Sequence, residues 1–327
     1  MTLVVAGYEG EEIFFIGDSA ITSNNVTLLS GFKKIYAVPI VVNQPYILRT
    51  FKNYIPYTRY QGECVIALAG STLIAQHVIN SVVGHLDKIR VKHDYDINGI
   101  KYSLIRHCNT KDNPFYNTGY IVYENNIYSD DDIYNAISVD GIKQIIEYSI
   151  KEALSSASKH VLDSESWERV INNEYLFALC CPHTGKNFLY KVELIEQETD
   201  NGIKAVPVIT QIPEGNIGVI GMKAHTQTLT EEYENLLTTP SKISLGMLNC
   251  IEDIIDKCNS EGNKGVAKPI IYKRFNGKLV KALTISENSD WWKLDIDETP
   301  LRVLDKDKEQ SLHDFHKFKF GEIDFDF

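Results

Sequence analysis

Three residues near the start of the chain carry groups suited to acyl-transfer chemistry: the hydroxyl of Thr2, the carboxylate of Asp18 and the ammonium of Lys34. Residues 3–8 are an apolar, β-prone run. Glu9-Gly10-Glu11 can turn the chain, and residues 13–16 form a second such run that ends at Gly17-Asp18-Ser19. Two β runs joined by a short Gly-containing segment predict a hairpin. It would carry Thr2 at its open end and return Asp18 to that same end, with Lys34 closing the segment. Removal of Met1 would make Thr2 a nucleophile with its own base, because hydroxyl and α-amine then sit on one residue. A free α-amine titrates at roughly 7.7–8.0, so much of it can accept a proton near neutral pH. A Thr paired with its terminal amine is an established way of activating a hydroxyl. A buried Lys beside it would hold the amine neutral and favour the alkoxide, and Asp18 would fix and charge-balance that Lys.

A second block, Cys64-Val65-Ile66-Ala67-Leu68-Ala69-Gly70-Ser71, reads as a strand entering a helix. Together these stretches resemble the N-terminal-nucleophile (Ntn) hydrolase superfamily, and within it the threonine peptidases of the proteasome β-subunit and HslV type. Thr2, Asp18 and Lys34 match the family's terminal Thr, its Asp after the second strand and its Lys, with no gap. The resemblance implies that the N–H of Gly70 donates to the oxyanion. Two departures stand out. Where the family carries a Ser between glycines, this chain reads Gly218-Val219-Ile220-Gly221-Met222. Where the family carries an Asp and a Ser that orient the terminal amine, it reads Asn259-Ser260-Glu261-Gly262. Ser260 and Glu261 are the candidates for that role.

The 327 residues suffice for one large domain or two small ones, and 43% hydrophobic content suffices for a sizeable core. No apolar run reaches the ~18 residues of a membrane span, and the N-terminus lacks the pattern of a secretory signal. Six Cys, mostly in apolar runs, read as reduced core thiols of a cytoplasmic protein. A formal charge of −11 argues against general nucleic-acid binding. Cys180, Cys181 and His183 lack the second Cys/His pair of a structural zinc site and read as core residues. His77 reads as a packed helix residue, and the acidic run 130–132 as a solvated helix cap.

Apolar periodicity predicts helices over 71–89, 139–156, 222–237 and 242–258. Strands are predicted over 174–181, 187–194, 205–211 and 216–220, with a closing hairpin over 268–275 and 279–285 across Asn276-Gly277. The order fits an α+β fold, a four-layer αββα sandwich spanning 1–285. Two insertions interrupt it, at about 43–61 and 90–137. The first, rich in Tyr and basic residues, lies between Lys34 and Gly70 in sequence and is expected to overhang the site. From 286 to 327 an acidic and aromatic tail, with Trp291-Trp292, His313 and His316, is expected to pack on the core or on a neighbouring subunit.

The expected function is hydrolysis of peptide bonds in peptides or unfolded protein, through an acyl-enzyme formed on Thr2 and without metal or organic cofactor. By resemblance the chain would form a homo-oligomer of rings or stacked rings. The resemblance leaves room for an ATP-dependent unfoldase, which nothing in the sequence encodes. Two other classes fit the same residues: a catalytically silent scaffold of the same fold, and an Ntn amidohydrolase of a small molecule.

Overall fold

The structure is a computed structural model of the chain. It describes residues 2–285 apart from 24–25, 98, 116–121, 124–126, 156, 161, 201, 240–241, 263–264 and 278, together with 304–305 and 308–309. The chain divides into a compact unit of residues 1–284 and a second of 285–327. In the second, Leu304–Asp305 pairs with Lys308–Glu309. Trp291, Trp292, His313 and His316 lie outside the described residues, as do the turn residues 124–126 of the second insertion.

The larger unit opens with the hairpin of β1 (Leu3–Glu9) and β2 (Glu12–Asp18). The short ribbon of β3 (Ile21–Ser23) and β4 (Val26–Leu29) follows, and β5 (Ile35–Ile40) starts directly after Lys34. Strands β6 (Val42–Leu48) and β7 (Thr50–Pro56) precede β8 (Gly62–Ala69) and helix α1 (Thr72–Leu86). Next come β9 (Ile89–Asp96), β10 (Gly99–Ile105), α2 (Asp130–Ala136), α3 (Val139–Ser155) and α4 (Ser164–Ile171). A meander of β11 (Glu174–Cys180), β12 (Asn187–Thr199) and β13 (Gly202–Ile212) leads to β14 (Ile217–Gly221). Helices α5 (Thr226–Leu237) and α6 (Ile243–Ser260), then β15 (Ile270–Phe275) and β16 (Leu279–Ile285), complete it.

These elements form a mixed α and β architecture with two five-stranded sheets, ordered β14-β1-β2-β15-β16 and β13-β12-β11-β8-β5. Strand residues alternate between faces, and here both faces are covered. Val4, Ala6, Ile13 and Phe15 of the first sheet share one apolar cluster with Val65, Ala67, Leu176 and Ala178 of the second. The intervening Ile66, Leu68, Tyr175 and Phe177 join another cluster with Val78 and Val82 of α1 and Ile142, Ile146 and Ile150 of α3. On the first sheet, α6 lies against β1 and β2, and α5 against β14. The Tyr233 hydroxyl of α5 donates to the Tyr8 carbonyl (2.9 Å), and Ser244 of α6 holds the Glu9 carboxylate through its N–H (2.9 Å) and Oγ (2.8 Å). Each such Phe, Ile or Leu contributes about 1.5–3 kcal/mol relative to exposure, against ~0–1 kcal/mol for a surface ion pair. The sheet-on-sheet and helix-on-sheet faces therefore hold the unit together.

Helix α3 buries Ile142, Ile145, Ile146, Ser149, Ile150, Ala153 and Leu154. Helix α1 buries Ala75, Val78, Ile79, Val82 and Leu86, an i, i+3, i+4, i+7 face on the sheet. His77, read from the sequence as packed, is exposed, and Leu73 is 82% exposed. The acidic run opens α2, with Ser129 as N-cap in a capping box with Asp132.

The two insertions build one object. Strands β6 and β7 from the first and β9 and β10 from the second form a four-stranded sheet ordered β10-β9-β6-β7, joined by parallel β6–β9 pairing. Phe51 of the first insertion stacks on Phe115 of the second (ring centroids 4.5 Å apart), and the Tyr54 hydroxyl donates to Asn113 (3.0 Å). Arg90 lies over the Tyr54 ring at 4.4 Å. The location of this sheet corrects the sequence expectation. Ile35 pairs with Ala67, and Ile40 with Gly62, so the first insertion leaves and rejoins the second sheet at the end opposite Lys34 and Gly70. Six strand residues at about 3.3 Å each put its root some 20 Å from that end, so it does not overhang the site at its point of attachment.

One buried cation ties the two large sheets together. Lys273 of β15 is 7% exposed, and its Nζ donates to the carbonyl of Ile35 in β5 (2.8 Å). Burial, with a smaller contribution from Lys33, lowers its pKa from the usual lysine range to about 8. A lysine with a depressed folded-state pKa costs stability fully below that pKa and less as pH rises towards its unfolded value. In urea titrations, Lys273→Met should therefore gain stability relative to the wild type at pH 7, and the gain should shrink between pH 8 and 10. A gap that stays constant over that window would contradict this assignment.

Candidate active site

Residues from four segments meet at one end of the two sheets. Antiparallel pairing puts Leu3 opposite Gly221, Asp18 opposite Ile270, and Ala69 opposite Glu174. Thr2 precedes β1, Asp18 ends β2, Lys34 precedes β5 and Gly70 follows β8. The sheet registers therefore bring all four to one end. Ion pairing fixes two of them: Lys34 Nζ donates to both Asp18 oxygens, at 2.9 Å (Oδ1) and 2.8 Å (Oδ2). The same carboxylate accepts the Leu3 N–H (2.8 Å, Oδ1) and the Ala20 N–H (3.1 Å, Oδ2). Asp18 thus grips the peptide that links Thr2 to Leu3 while it neutralises Lys34. Asp18 is fully buried, Lys34 is 2% exposed and Thr2 is 8% exposed. Burial lowers the Lys34 pKa from the usual lysine value, and the Asp18 charge and hydrogen bonds offset this only in part. Its proton is therefore more easily released than that of a lysine in water.

Two glycines with positive φ lie at this end of the sheets. Gly70 has φ +115°, and a Cβ there would fall 2.6 Å from Asn173 Oδ1 and 2.9 Å from the Asn172 carbonyl. Gly221 has φ +93°, and a Cβ there would fall 1.9 Å from the Thr2 carbonyl oxygen and 3.4 Å from Ala69 Cβ. The close approach of backbone to backbone requires glycine at both positions. Ser19, next to Asp18, is held on both sides: its Oγ donates to the Pro269 carbonyl (2.7 Å) and accepts the Gly31 N–H (3.2 Å).

Ser260 and Glu261 lie elsewhere in character. Both are exposed at the C-terminal end of α6. Ser260 Oγ donates to the Lys257 carbonyl of its own helix (2.8 Å), and neither residue shows a hydrogen bond to Thr2, Asp18 or Lys34 among the described residues. Instead, the structure places Asn173 and Glu174 beside Gly70 and Gly221. The available signal was an acidic residue opening the otherwise apolar run Tyr175-Leu176-Phe177-Ala178-Leu179. His183 binds the Ile137 carbonyl through Nε2 (2.8 Å). Among the described residues no group of three His, Cys, Asp or Glu is placed to hold a metal, and no helix is long and apolar enough to cross a membrane.

A buried pair is costly to break from one side, typically about 3–5 kcal/mol, because the remaining charge is stranded. Asp18→Asn should lower the free energy of unfolding in urea by that order, and adding Lys34→Met to it should recover most of the loss. A neutral Asp18→Asn variant would show that the pair does not hold this end of the molecule.

No protein-family model matches the sequence, and no curated protein is significantly similar to it. Solved structures with a similar backbone include the Anbu (Gly-1) mutant from Hyphomicrobium sp. strain MC1, with TM-score 0.49 and 13% identity over 89% of this chain and 90% of that one. Anbu (ancestral beta-subunit) from Yersinia bercovieri has TM-score 0.48 and 11% identity over the same shares. The eukaryotic HslV from Trypanosoma brucei has TM-score 0.38 and 9% identity over 84% of this chain and 98% of that one.

Proposed function

We propose that this chain is an N-terminal-nucleophile hydrolase of the proteasome type, a threonine peptidase, and that its two large sheets and flanking helices are the four-layer αββα sandwich of that class. The observation that carries the reading is the Asp18 carboxylate. It holds Lys34 through both oxygens and the Leu3 N–H through one of them, so a buried cation is fixed one peptide from Thr2. In this reading Met1 is removed and the Thr2 hydroxyl attacks the scissile carbonyl. The Thr2 amine takes the hydroxyl proton and delivers it to the leaving amine. Lys34 keeps that amine neutral by its charge. The Gly70 N–H receives the oxyanion, a contribution of up to about 3–4 kcal/mol in comparable sites. Water activated by the same amine then releases the acyl-enzyme. The substrate would be a peptide or unfolded protein, the working form a homo-oligomer, and an ATP-dependent unfoldase a partner that the resemblance allows.

The test is intact mass before and after incubation with a peptide epoxyketone, which needs both the free amine and the hydroxyl of a terminal Thr. Loss of Met1 and a single adduct are expected. Thr2→Ala should abolish adduct and peptide turnover without unfolding the chain, and Lys34→Ala should abolish both at the stability cost of leaving Asp18 unpaired. Retained Met1 without adduct would favour the silent scaffold. Lost Met1 without adduct, combined with cleavage of a small amide, would favour the small-molecule amidohydrolase.

A further inference from the structure

We infer that Glu174 is a positioning residue for Thr2, acting through the backbone of Gly221; the inference rests on the nucleophile reading above. Glu174 opens β11 in the second sheet, is 7% exposed, and reaches across to the first sheet, where Oε2 accepts the Gly221 N–H at 2.9 Å. A carboxylate accepting a backbone N–H is a charge-assisted bond, roughly twice as strong as a neutral one. Gly221 is the residue against which the Thr2 carbonyl rests, and it pairs with Leu3 at the start of β1. The chain of contacts runs from carboxylate to Gly221 N–H, and from Gly221 to the Thr2 peptide. It staples the two sheets together where the nucleophile must meet Gly70, and Ala69 is the direct β-partner of Glu174.

The cost of burying this charge is shared. Lys191 Nζ lies 3.6 Å and Lys223 Nζ 3.8 Å from Oε1, and Oε1 makes no hydrogen bond. The two lysines, of which Lys191 also pairs with Glu193 (2.9 Å), offset part of the Glu174 charge without competing for the oxygen that holds Gly221. Misplacing a reacting group by about 1 Å can cost ~100-fold in rate. The stretch 218–222 offers no Ser side chain to steady the nucleophile, and the Glu174 carboxylate supplies a side-chain tie to this strand end beside the β1–β14 ladder.

The experiment compares wild type, Glu174→Ala and Glu174→Gln in the full chain, by epoxyketone adduct rate and by peptide turnover. Glu174→Ala should lower the adduct rate and kcat about 10–100-fold with KM within about twofold. Glu174→Gln keeps an oxygen for the Gly221 N–H and should restore both to within about threefold. A wild-type adduct rate in Glu174→Ala, or equal losses in both variants, would overturn the inference. Failure of the nucleophile reading is distinguishable, because the wild type would then take no adduct. In that case amide hydrogen exchange decides on Glu174 alone. Faster exchange at Gly221 and Leu3 in Glu174→Ala than in Glu174→Gln upholds the clamp, and equal exchange in all three proteins overturns it.

Discussion

The organisation of this end of the molecule depends on keeping one ammonium group away from water. A lone buried lysine would surrender its charge or unfold the chain. Lys34 avoids both because Asp18 gives it two oxygens and is itself satisfied by the Leu3 and Ala20 N–H groups. The bond to Leu3 couples this electrostatic necessity to the first residues of the chain. The terminus of a polypeptide is ordinarily the segment most prone to fray; here the pairing of β1 between β2 and β14, and the Asp18 contact, hold it on both sides.

The two large sheets add a second constraint. Their shared apolar cluster sets the distance between them, while single polar ties set their alignment. Tyr8 accepts the Leu189 N–H (2.9 Å) and donates to the Ile212 carbonyl (3.1 Å), Asn187 Nδ2 donates to the Glu11 carbonyl (2.7 Å), and Lys273 reaches Ile35. Apolar packing tolerates small slips, whereas a buried donor that loses its acceptor costs about 1–3 kcal/mol. Such ties therefore select one alignment from the many that burial alone would permit. Glu174 belongs to this set, with its Oε2 on the Gly221 N–H.

Legibility from sequence followed the range of the interactions. The β1–β2 hairpin, the α3 stripe and the turn at Asn276-Gly277 were readable because their determinants lie within a few residues of one another. Helix α4 went unread because it is only eight residues long, so its apolar stripe of Trp167, Val170 and Ile171 is a single i, i+3, i+4 set with no repeat along the chain to mark it. Thr2, Asp18 and Lys34 could be grouped because hairpin geometry alone returns Asp18 to Thr2. Ser260 and Glu261 were chosen by spacing along the chain, and the end of α6 turns both into solvent. The role of Glu174 depends on how one sheet sits on the other, which no local pattern expresses. The same limit hid the joint sheet of the two insertions, since β6 and β9 are separated by β7, β8 and α1.

That joint sheet makes residues 43–61 and 90–137 interdependent. Deleting the first would strip β9 of its β6 neighbour and leave Phe115 without its stacking partner Phe51. Deleting the second would bare the β6 edge and leave Phe51 without its stacking partner Phe115. Either intermediate would present an open strand beside exposed aromatics, the combination that seeds association between chains. Each half of the sheet therefore keeps the other soluble.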